Sequence, residues 1–148
     1  MATYTKIIYH LVFSTKNRVP VLVENRRRDL CKYIWGILKN KKCHLYRIGG
    51  GADHLHILTS LHPTVCVGNL IKDIKVASSE WIKENAVFAG FDHWQKGYGA
   101  FTQSAGDVDR LIEYIKNQKE HHRVKSFREE YLELLKEAGI EIDERFGI

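Results

Sequence analysis

Two histidines stand one residue apart in the run GGGADHLHILTS, and a tyrosine precedes a glutamine by four residues in DVDRLIEYIKNQKEHHRVK. Side chains alternate across a β-strand, so His54 and His56 share one face while Leu55 and Ile57 take the other. Their Cα atoms then lie about 6 to 7 Å apart, close enough for both imidazoles to converge on one ion. On a helix, Tyr114 and Gln118 fall one turn apart on the flank of an apolar stripe formed by Val108, Leu111, Ile112 and Ile115.

Imidazole is a borderline ligand and no cysteine lies near the pair in sequence, so a site completed by an oxygen donor would suit Mg²⁺, Mn²⁺ or Zn²⁺. Taken alone the histidines are equally compatible with hydrogen-bonded or half-exposed strand residues. Tyr114 taken alone widens a core stripe, with Gln118 a solvated neighbour. Around them stand Lys116, Lys119, His121, His122, Arg123 and Lys125, a density of positive and imidazole groups that attracts phosphates but also describes an ordinary solvated face.

The elements that must position these residues are legible as periodicity. Tyr4 to Phe13 reads as a covered strand ending in the turn STKNR, and Glu24 to Asn40 as a helix with Leu30, Tyr33, Ile34, Ile37 and Leu38 at helical spacing. CHLYRI and HLHILTSL read as two strands joined by Gly49, Gly50 and Gly51. A second helix is expected from about Val65 to Glu84, then a strand in HWQKGYGAFTQS interrupted by Gly97 and Gly99. A third helix starts after Ser104 or Asp107 and carries Tyr114; a fourth runs from about Ser126 to Ala138 and stops at Gly139. The first six elements fit an α+β, ferredoxin-like plan: an antiparallel sheet with helices on one face and the other face open for chemistry.

The 148 residues suit one domain, residues 1–148, with a real core. Lys and Arg number 23 against 18 Asp and Glu, a net charge of +5 that favours an anionic partner. Cys31, Cys43 and Cys66 are odd in number and scattered, which argues against a disulfide framework or a cysteine zinc site and fits a reducing cytoplasm. The start of the chain lacks the pattern of a signal peptide, and no apolar run approaches the roughly 18 residues of a membrane span.

Taken together, YHLVFSTKNRVPVL, IGGGADHLHILTSL, SSEWIKE, WQKGYGAFTQS and YIKNQKEHHRVKSFREEYLELLKEAGIEIDERF resemble the IS200/IS605-type single-tyrosine transposases, a branch of the HUH (His-hydrophobe-His) endonucleases. The resemblance spans nearly the whole chain. It implies that His54, His56 and Gln118 are metal ligands for Mg²⁺ or Mn²⁺ and that Tyr114 is the nucleophile. It further implies cutting and rejoining of single-stranded DNA through a 5′-phosphotyrosine link, recognition of hairpins at element ends, a homodimer, no nucleotide cofactor and a prokaryotic cytoplasm. Asp53 is placed to orient His54. Lys16, Arg18, Arg47, Lys72, Lys75 and Lys96 are candidate phosphate contacts, and Trp94 and Tyr98 are either base-stacking or core aromatics. The alternatives are a non-catalytic single-strand-binding module on the same sheet and a domesticated relative that keeps cleavage alone.

Overall fold

The computed structural model describes residues 1–143. Strand β1 (Ile8–Ser14) leads to helix α1 (Glu24–Asn40), strands β2 (His44–Gly50) and β3 (His54–Ser60), helix α2 (Val67–Glu84) and strand β4 (Gly99–Gln103). Helices α3 (Val108–Lys116), α4 (Gln118–His121) and α5 (Phe127–Glu137) follow. The strands form one sheet in the order β2-β3-β1-β4 with every neighbouring pair antiparallel, the arrangement expected of a ferredoxin-like plan.

Alternation along the central strands sorts the sheet into two unlike faces. Leu11, Phe13, Leu55 and Ile57 point to one side, where α1 supplies Leu30, Ile34 and Leu38 and α2 supplies Leu70, Ile71 and Ile74. These side chains recur at three- and four-residue steps, so each helix lays one stripe on the sheet. Trp94 belongs to this core: it is 5% exposed, packs edge-on to Phe13 and donates its indole N–H to Ser78 Oγ at 3.0 Å. Of its two possible roles, the packed one is what the fold uses.

Ile8, His10 and Val12 of β1 and His54, His56 and Leu58 of β3 occupy the opposite face. This face, expected to be open, is covered. Leu111 and Ile115 of α3 sit on Ile8 and Leu58, and Phe127 and Leu135 of α5 sit on Val12 and Phe101. A row of facing residues runs across the sheet as Gly49, His56, Val12 and Gly99. The two glycines at its ends let the helices settle. A Cβ on Gly49 would stand 3.2 Å from Ile115 Cγ2, and one on Gly99 would stand 2.9 Å from Tyr131 Cε2.

Several boundaries differ from expectation for local reasons. The first strand begins at Ile8, where pairing with Ser60 starts, and Tyr4 is exposed. Gly49 and Gly50 are still paired within β2, so the hairpin turn is shorter than the glycine run suggests. Ahead of β4, Trp94 makes a single bridge to Thr15, and the chain loops out through Gly97, whose φ of +89° suits glycine. The tyrosine helix is broken at Asn117, separating α3 from α4. Helix α5 is capped as read: Ser126 Oγ accepts from the Glu129 N–H at 3.2 Å, and Gly139 follows the last turn with φ +70°.

Alanine at Gly49 or at Gly99 is expected to lower unfolding stability in urea by about 1–3 kcal/mol, as overpacking does. Gly36→Ala, in α1 with nothing within 4 Å of its Cβ position, is expected instead to raise it by about 0.5–1 kcal/mol. Equal effects at all three positions would refute the close-approach account.

Candidate active site

Neighbouring elements deliver their polar side chains to the same spot on the covered face. His54 and His56 come from β3, His10 from β1, Tyr114 from α3, Gln118 from α4, His122 from the turn after it and Glu130 from α5. His10, His54, His56, Gln118 and Glu130 are each no more than 2% exposed. Buried polar groups persist only when paired, so their contacts account for the site.

The Glu130 carboxylate is the hub. Its Oε1 lies 3.1 Å from His56 Nε2 and 2.9 Å from His122 Nε2, while its Oε2 accepts from Gln118 Nε2 at 3.0 Å and from the Tyr114 hydroxyl. Burial pushes this carboxyl up, but the hydrogen bonds from His122 and His56 outweigh it and hold the group well below the usual carboxylate range. Tyr114 is moved the other way. Burial first, then the bond to Glu130 and its negative charge, raise the phenol above its ordinary value, so the proton rests on Tyr114.

Ring-nitrogen partners limit which atoms can face inward. His54 Nδ1 donates to Asp53 Oδ1 at 2.7 Å, and His122 Nδ1 donates to the Lys125 carbonyl at 2.7 Å. A neutral ring so engaged presents a bare lone pair at Nε2. Yet His54 Nε2 faces Gln118 Oε1 at 3.0 Å, and His122 Nε2 faces Gln118 Oε1 at 2.9 Å as well as Glu130. Nitrogen and oxygen lone pairs therefore converge, and either extra protons or a cation must lie between them. Burial lowers His122, but the neighbouring carboxylate outweighs burial and raises it, which is the proton solution.

A cation is the other solution, and the donor set suits one. Ligating atoms of His54, His56, His122 and Glu130 all lie within 4.8 Å of one another. The contact of His54 with Asp53 is the carboxylate–histidine pairing that orients a metal-binding imidazole. Behind His56, its Nδ1 pairs with His10 Nε2 at 2.8 Å; burial and the facing His56 lower His10 to about 3, so it stays neutral. While His56 Nε2 donates to Glu130, His10 Nε2 donates to His56 Nδ1; with a cation in place of that Nε2 proton the pair would reverse, His10 accepting from His56 Nδ1.

His54, His56, Tyr114 and Gln118 are thus brought together as the sequence suggested, and Asp53 stands against His54. His10 and Glu130 escaped the sequence reading, and His122, read there as part of a basic surface, belongs to the buried cluster. Glu130 carries the clearest signal in retrospect: with Phe127, Tyr131 and Leu134 it falls on the inward stripe of α5, where a lone carboxylate needs partners. The basic candidates are spread more widely. Lys72 and Lys96 are exposed beside the loop before β4, and Lys16 lies 3.9 Å from Asp92. Arg18 lines a cleft under the same loop, whereas exposed Arg47 lies on the outer strand β2. Lys75 donates to the carbonyls of Gln95 and Gly97 at 2.8 and 2.6 Å and so holds the loop in place.

The family described as "Transposase IS200 like" matches residues 3–118. The transposase for insertion sequence element IS200 of Salmonella typhimurium is 25% identical over 122 residues, covering 78% of this chain and 79% of that protein; the Salmonella typhi protein matches equally. Among solved structures, a putative transposase from Deinococcus radiodurans superposes with a TM-score of 0.60 at 25% identity over 80% of this chain and 95% of that one. A REP-associated tyrosine transposase bound to a REP hairpin shares the fold, with a TM-score of 0.62 at 14% identity over 82% and 72% of the two chains. Among the described residues no helix is long and apolar enough to cross a membrane.

Saturating Mn²⁺ at about 100 times its Kd is expected to add about 2.7 kcal/mol of stability, or roughly 5–10 °C in Tm for a chain of this size. Thermal unfolding with and without the ion checks this, and the rise should vanish in His54→Ala. A rise of the same size in that variant would move the metal elsewhere.

Proposed function

Because the chain belongs to the IS200-like transposase family, we propose that it cuts and rejoins single-stranded DNA through a covalent link to Tyr114, with a divalent ion, Mg²⁺ or Mn²⁺, held by His54, His56 and Gln118. The observation that carries the reading is the convergence of His56, Gln118 and Tyr114 on one buried carboxylate, with His54 Nε2 facing the same Gln118. When bound, the ion supplies Lewis-acid polarisation of a phosphate oxygen. Everything else is the work of the chain's own groups.

Glu130 Oε2 fixes the direction of the phenol O–H and is the acceptor nearest its proton. In the proposed step the bond from the Tyr114 oxygen to phosphorus forms and the bond from phosphorus to the 3′ oxygen breaks. The phenol proton leaves along its hydrogen bond to Glu130, whose carboxylate is too weak a base to keep it, and is handed on to solvent, from which the departing 3′ oxygen takes a proton. A phenolate leaves more readily than a sugar alkoxide, so a 3′-hydroxyl of another strand can reverse the step, which suits strand transfer over hydrolysis. Recognition of a hairpin and a homodimer complete the reading.

Incubating the protein with single-stranded DNA and Mn²⁺ is expected to give a protein–DNA band that survives denaturation. It should disappear with chelator and in Tyr114→Phe. Binding with no such band, across a panel of hairpin-bearing strands, would leave a non-catalytic binding module as the better account. Glu130→Gln is expected to slow band formation by about 10² to 10⁴, the range for loss of a positioned proton acceptor, and a rate equal to that of the unaltered protein would remove Glu130 from the step.

A further inference from the structure

Helix α5 has two unlike flanks. On one, Glu130, Glu133 and Glu137 line a cleft together with Tyr114. On the other, Phe127, Arg128 and Tyr131 line a cleft of about 470 Å³ whose far wall carries Arg18, Lys96 and Tyr98. Among the described residues, that second lining has three cationic side chains and no acidic one. It reaches the active site directly, because the Phe127 ring stacks on His54 with centroids 4.3 Å apart. Past Lys96, Gly97 and Tyr98 the surface continues into a hollow of about 480 Å³ against α2, where Lys72 and Lys75 add charge and the described residues again supply no acid.

The rim between the two hollows is built to hold its shape. Lys75 Nζ ties down the Gln95 and Gly97 carbonyls, and the Gln95 N–H donates to the Ser14 carbonyl at 2.8 Å. Gln95 Oε1 accepts from the Asn17 N–H at 2.8 Å. Tyr98, at the crest, is 43% exposed although its chain segment is fixed. A rigid exposed ring flanked by cations is what an unpaired strand needs: every base has a face to stack, and every nucleotide a phosphate. The acidic flank would repel the same strand.

We infer that the groove lined by Arg18, Lys96, Tyr98, Arg128 and Tyr131 carries the unpaired DNA strand adjoining the phosphate at His54 and His56. Tyr98 and Tyr131 stack on bases, and the cations contact phosphates. The assignment rests on the function proposed above, but its test does not require cleavage.

Binding of a short, unstructured, fluorescently labelled DNA strand is followed by anisotropy over a salt series, with chelator present so that no adduct forms. Lys96→Ala and Arg128→Ala are each expected to reduce the slope of log K against log salt by about 0.7, the value for one phosphate contact on a single strand. Tyr98→Ala is expected to raise Kd by about 5- to 150-fold without changing the slope, and Tyr98→Trp to restore binding. Glu133→Gln, on the acidic flank, should bind no more weakly than the unaltered protein. Unfolding temperatures of the variants guard against loss of fold. The inference is overturned if the groove variants bind as the unaltered protein does, or if they weaken binding to a duplex of the same sequence equally. A missing covalent band with these binding effects intact would sink the proposed reaction and leave the groove standing; a normal band with no effect of the groove variants would do the reverse.

Discussion

A buried carboxylate on α5 organises the covered face of the sheet. Alone in an apolar setting Glu130 would be strongly destabilising, and it is tolerated because β3, α3, α4 and the turn after α4 each aim a donor at it. The same requirement works in the other direction. Tyr114, Gln118 and His122 stand on three separate pieces of backbone, and their common partner is what brings those pieces into one geometry over the histidine strand. The electrostatic need of one group thereby sets the placement of the groups around it.

How much of this could be read from the chain depends on the range of the forces involved. Alternation placed His54 and His56 on one face because neighbouring Leu55 and Ile57 had to go to the other, and the stripes on α1 and α2 followed from three- and four-residue spacing. These are near-neighbour constraints, and sequence displays them. The break at Asn117 is not such a constraint: the flanking residues are fair helix formers, and the interruption is seen only where Gln118 turns in against β3. Glu130 was missed for a related reason. Glutamates are ordinarily solvated, and only its partners, at sequence distances up to 74 residues, make a buried one tenable. Likewise the coverage of the second face depends on Gly49 and Gly99 lying at opposite ends of one row, a relation that exists only after the strands are paired.

Net charge is a blunt description of this surface. The excess of +5 does not spread evenly, since Glu130, Glu133 and Glu137 of α5 line the cleft on the tyrosine side while, among the described residues, the groove on the other side has no carboxylate. A long polyanion is therefore met by a molecule that is attractive in one direction and repulsive in another. Such a field orients an approaching strand before contact is made.

The pairing of β1 with β3 puts Val12 opposite His56 and Leu11 opposite Ile57. A slip of one residue between these strands would turn both imidazoles into the packed side of the sheet and send Leu55 and Ile57 among the polar groups of the other. No stable sheet survives that exchange. For this error the chain therefore has no compact form that could pass for native while lacking its chemistry: loss of the fold and loss of the active site are the same event.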